Sequence, residues 1–99
     1  MTVGKIAVIL QQRGQIDEAL RIWRAECIPV FERLGDEREK MMCRANIGIT
    51  LMNKSVRTKA EFEEAREHLI WARDMAEKHQ YAEAAQLRKT VTRLLGESV

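Results

Sequence analysis

Apolar residues recur at three- and four-residue intervals along almost the whole chain, the spacing of helices that each turn one face inward. Val3, Ile6, Ala7 and Leu10 form the first row, predicting a helix over about 2–13 that Gly14 ends. Ile16, Ala19, Leu20, Trp23, Cys27, Val30, Phe31 and Leu34 form the second, over 16–34, with Gly35 as its stop. Pro29 falls inside that row. It removes one backbone donor and crowds the preceding turn, so a bend is expected, while the in-phase continuation through Val30 and Leu34 argues against a break.

A third helix is predicted over 36–53, where Asp36 and Glu39 stand at capping-box spacing. Thr58 and Glu61 repeat that signature and open a fourth helix to about Lys78, with Phe62, Ala65, Leu69, Ala72 and Ala76 as its inward row. Tyr81, Ala84, Leu87, Val91 and Leu94 predict a fifth that closes at Gly96. Punctuation around Lys78-His79-Gln80 is weak, so the fourth and fifth are also readable as one long helix. No stretch has the β-branched and aromatic runs of a strand.

The pattern repeats itself. Ile6-Ala7 with Leu10 returns as Ile47-Gly48 with Leu51, roughly 40 residues later, and Ile16-Asp17-Glu18-Ala19 returns as Phe62-Glu63-Glu64-Ala65 after an insertion at 56–60. Helices that cross at about 8–10 Å need small residues where they meet, and Ala7 against Ala19, then Gly48 against Ala65, supply them. The expected architecture is therefore all-α: antiparallel helix hairpins stacked as a short α-solenoid of about five helices in one domain, 1–99. Residues 1–35 form the first pair, 36–79 the second, and 80–96 a C-terminal capping helix.

The order Val3, Ile6, Ala7, Leu10, Gly14, Ala19 and Trp23 resembles the unit of the tetratricopeptide repeat family. The run Gly-Lys-Ile-Ala-x-Ile-Leu-Gln-x-Arg-Gly-Gln-x-Asp-Glu-Ala-Leu-Arg-Ile is similar to bacterial arrays with roughly forty-residue units. Residues 1–55 carry the resemblance. After them Arg44, standing where a large apolar residue is usual, Ser55 in place of the turn glycine, and the insertion depart from the pattern. The resemblance implies a neighbouring unit upstream and, at the unpartnered fifth helix, the C-terminal end of an array.

It also implies a function. The first helix of each unit lines a groove for a protein or peptide, which marks Gly4, Val8, Gln11 and Gln12 in one unit and Met42, Ala45, Ile49, Met52 and Asn53 in the next. Methionine suits an adaptable apolar groove because its thioether chain repacks at little cost. The ordinary alternative is that this stripe is core and that the chain is a structural end-cap which self-associates as a homodimer through the outer face of its first helix.

Charge and candidate chemistry narrow the field. Seventeen basic and fifteen acidic residues leave a net charge of +2, with signs interleaved along the helices, so nucleic acid is not implied as a partner. No apolar run approaches a membrane span, and the start lacks the arrangement of a secretory signal. Cys27 and Cys43 are too few for a disulfide scaffold and point to a reducing cytoplasm; about equally far from the Gly35 turn, they are expected to face one another as inert buried thiols. His68 and His79 share no helical face, and no metal or other cofactor is expected. Trp71, beside the inward row, is either a partly exposed anchor or packed on the fifth helix. Without a phosphate loop, a nucleophile beside a base or paired carboxylates, an enzyme is not expected.

Overall fold

The computed structural model describes residues 3–96, the side chains of residues 3 and 4 excepted. Within that range the chain forms five helices and no strand: α1, Val3–Gln12; α2, residues 16–34; α3, Glu37–Met52; α4, Lys59–Lys78; and α5, Ala84–Leu95. Three of the four connections are built alike. After α1 the Gln15 N–H donates to the Leu10 carbonyl, after α2 the Asp36 N–H to the Phe31 carbonyl, and after α4 the Tyr81 N–H to the Ala76 carbonyl, each at 2.8–2.9 Å. These six-to-one closures satisfy helix-end carbonyls and need a left-handed residue at the corner. Gly14 and Gly35 provide it twice, and Gln80, at φ 56°, provides it the third time.

Gln80 explains why the boundary before α5 is faint in the sequence: an ordinary residue occupies a position usually held by glycine. The turn separates α4 from α5 and delays α5 to Ala84, so Tyr81 belongs to the turn and the single long helix is excluded. The α3–α4 connection is longer and ends at the expected capping box, in which the Glu61 N–H donates to Thr58 Oγ1 (3.1 Å) and the Thr58 N–H to Glu61 Oε1 (2.9 Å). At α3 only half of the expected box forms, with the Glu39 N–H donating to Asp36 Oδ1 at 3.1 Å.

Pro29 is accommodated upstream of where a bend was expected. Between the regular segments Ile16–Ile22 and Ile28–Leu34, Trp23–Cys27 forms a widened π-turn in which the Ile28 N–H donates to the Trp23 carbonyl five residues back. The carbonyl a proline ring would crowd is that of Ala25, inside this turn, so the extra residue relieves the clash and the helix continues.

Extensive contacts join consecutive helices, and α3 sits in the middle. One side of α3 brings Met41 and Ala45 against Ala72, Ala76 and Leu87, while the other brings Cys43, Ile47 and Leu51 into the cluster containing Ala7, Ala19, Trp23 and Cys27. Ala7 and Ala19 are fully buried, as close packing of α1 on α2 requires. The approach at Gly48 is tighter: a methyl group there would lie 2.6 Å from Leu69 Cγ and 3.1 Å from the Ala65 carbonyl oxygen. Among the described residues no helix is long and apolar enough to cross a membrane.

Candidate functional site

Beside its two buried sides α3 carries a lightly covered stripe that runs on past its end, Met42, Asn46, Ile49 and Asn53, at intervals of four, three and four residues. On α1 the corresponding stripe is Lys5, Val8 and Gln12. Between them lies a depression of about 530 Å³. Val8, Phe31 and Met42 supply apolar wall, Trp23 and Cys43 lie within it, and Lys5, Asn46 and Arg38 supply polar groups. An ion pair between Arg38 and Glu83 ties the start of α3 to the residue before α5 and borders the same hollow. Mutual hydrogen bonding raises the Arg38 guanidinium and holds the Glu83 carboxyl below its usual range.

The eight residues expected to bind a partner separate into groups. Val8 and Met42 line the depression. Gln12 and Asn53 are exposed but stand outside it, and Ile49 is half-buried, packed against the core. Gln11 turns to α3, where its amide donates to Thr50 Oγ1 at 3.3 Å. Ala45 and Met52 require correction, because they are interior residues at 2% and 9% exposure. The physical reason is phase: Ala45 shares a face with Met41 and Gly48 toward α4, whereas Asn46, one position on, looks out. Gly4 lies outside the residues whose surroundings are described. Lys5, Phe31, Arg38 and Asn46 were not anticipated. Asn46 was legible as a polar residue four after Met42, while Phe31 and Arg38 enter only through the α2–α3 turn.

Trp23 adds an unusual feature. It is 1% exposed, and its indole N–H has no hydrogen-bond acceptor among the described residues. The two thiols lie in one packed core cluster with Trp23, and both are buried and unbonded. Burial pushes the Cys27 thiol above its ordinary value and the Cys43 thiol up to about 12, the neighbouring sulfur adding to the latter.

A second polar system covers the α3–α4 seam. Arg44 stacks over Trp71 at 4.2 Å and donates from Nε to His68 Nδ1 at 3.0 Å, while Lys40 stands over the same ring at 5.3 Å. His68 Nε2 meets Glu64 at 3.2 Å, and Glu64 accepts two bonds from Arg24 on α2. A neutral His68 with its proton on Nε2 satisfies both neighbours. Trp71 is thus a half-buried platform for α3 cations, and Arg44 replaces the expected apolar contact with a stacked one. No group of three potential metal ligands occurs among the described residues. No family model, curated protein or solved structure matches the chain.

Proposed function

We propose that the chain is a protein-interaction module, a tetratricopeptide-like stack of hairpins, that binds a peptide or helix of a partner protein in the hollow between α1 and α3. The observation that carries this reading is the depression itself, in which Val8, Phe31 and Met42 offer an apolar seat while Lys5 and Asn46 stand beside it. A concave site with apolar walls and a few convergent polar groups is the usual form of a recognition site. The binding set then becomes Lys5, Val8, Met42 and Asn46, with Ile49 at its margin. No catalysis, cofactor, nucleic acid or membrane enters this reading, and two unbonded cysteines suit a reducing cytoplasm.

The test is a selection of random displayed peptides on the intact chain, followed by titration of enriched peptides against Met42→Glu and Val8→Glu. Enriched sequences sharing an apolar anchor, weakened about tenfold or more by either charge with helicity retained, are expected. Absence of enrichment, or equal binding to folded variants, refutes the proposal.

The alternative, a self-associating cap, is favoured by one observation. Helix α1 carries Ile6, Ala7, Val8, Ile9 and Leu10 in succession, yet only Ala7 is buried and Ile6 remains 40% exposed. An apolar run that long is ordinarily covered by a neighbour. Sedimentation across a concentration series, with Ile6→Glu as control, distinguishes a dimer through α1 from a chain that does not self-associate.

A further inference from the structure

The groove reading makes no use of the paired thiols, and their placement differs from that of inert core cysteines. Cys27 closes the π-turn of α2, Cys43 lies on the second turn of α3, and the two side chains belong to one core cluster where these segments pack together. Cys27 is wholly enclosed, whereas Cys43 forms part of the wall of the depression between α1 and α3. One member of the pair therefore borders a space open to small molecules. The other is enclosed in the same core cluster.

We propose that Cys27 and Cys43 are a site of reversible two-electron oxidation, closing to an intramolecular disulfide when a small peroxide enters the depression. The Cys43 thiolate attacks one peroxide oxygen, breaking the O–O bond, and becomes a sulfenic acid; with hydrogen peroxide the departing hydroxide takes up the thiol's proton to leave as water. The Cys27 sulfur, losing its own proton, then attacks the Cys43 sulfur and expels the sulfenic hydroxyl as a second water. Two thiols and one peroxide give one disulfide and two waters, the two electrons passing from sulfur to oxygen. Only the thiolate reacts, so the burial that disfavours ionisation makes the step slow at neutral pH and faster as pH rises. The bond would clip α2 to α3 across the Gly35 turn, restricting the unfolded chain and stabilising the folded one. A dithiol reductant reverses it. This proposal is independent of peptide binding, since it requires only the depression and the two sulfurs.

The experiment treats the native chain with hydrogen peroxide at neutral and at mildly alkaline pH, with far-UV circular dichroism confirming the fold throughout. The expected result is a monomer lighter by two hydrogens, a Cys27–Cys43 linked peptide in the digest, and a thermal midpoint that rises and is restored by dithiothreitol. In Cys27→Ser, which lacks the resolving sulfur, the Cys43 sulfenic acid should accumulate and be captured by dimedone. Thiols that stay free while the urea-unfolded chain oxidises under the same conditions would overturn the proposal. So would links between chains in place of the internal bond, or oxidation of the native wild type that stops at the sulfenic or sulfinic acid.

Discussion

At the scale of single residues, the molecule is governed by how little space the helix crossings leave. Gly48 is the clearest case. The atom nearest to an added methyl is the branch carbon of Leu69, which is itself fully buried, and the next is a backbone oxygen of Ala65. Neither yields easily, so Gly48→Ala is expected to lower stability by about 1–3 kcal/mol despite the better helix propensity of alanine. Urea titration measures this; an unchanged or higher midpoint would show that α3 and α4 can separate without cost. Ala45 teaches a related lesson. It differs from its neighbour Asn46 by one position, about 100° of helix rotation, and that step moves it from the hollow into the α4 interface.

At the scale of elements, caps and corners determine where each helix stops. Gln80 adopts the left-handed conformation at a cost of about 1–2 kcal/mol, a penalty glycine avoids. Gln80→Gly should therefore stabilise the chain by about 0.5–1 kcal/mol, as long as the Tyr81-to-Ala76 bond persists, and a raised thermal midpoint is the readout. At the other end of α4, Thr58→Ala removes the hydroxyl that accepts from the Glu61 N–H and should cost about 1 kcal/mol. Amide exchange ought to show that loss concentrated in the first turn of α4; uniform loss across all helices would contradict the local assignment. The Glu61 carboxyl is held below its usual range chiefly by Lys54, then by the Thr58 backbone, so the cap also anchors the long α3–α4 connection.

For the whole molecule, the seam from Arg24 through Glu64 and His68 to Arg44 and Trp71 couples three helices to pH. Burial holds His68 below its ordinary value of 6.5; the Arg44 guanidinium of α3 adds to this, while Glu64 and Glu67 of α4 oppose it. The unfolded chain consequently takes up the proton first. Stability contributed by neutral His68 is complete above its ordinary 6.5 and is lost as pH falls through the lower folded value. A protonated Nδ1 also ceases to accept from Arg44, which loosens α3 from α4. The urea midpoint should therefore drop between about pH 7.5 and about pH 5.5, and His68→Gln, which keeps an acceptor without titrating, should reduce the drop. An identical drop in wild type and variant would assign the effect to other groups. The Glu18, Glu61 and Glu83 carboxyls, all held low by cationic partners, contribute their pH dependence at lower pH.

Local pattern was enough to define the first three helices and the start of the fourth, the stops at Gly14 and Gly35, the Thr58 cap and the small-residue crossing at Gly48, because each arises from neighbours within a few positions or from a residue type with one strong preference. Tertiary structure alone decided the rest. The left-handed turn at Gln80 uses a residue with no such preference, and the π-turn at Trp23–Cys27 is a backbone adjustment without a composition of its own. Which stripe of α3 faces the hollow depended on how two flanking helices share its circumference, and Ala45 and Met52 carry the same apolar signal whether they look in or out. Contacts such as Arg44 on Trp71 and Arg24 on Glu64 join residues distant in the chain. Local pattern specifies where helices form; the rotation of each about its own axis is settled only when all of them pack.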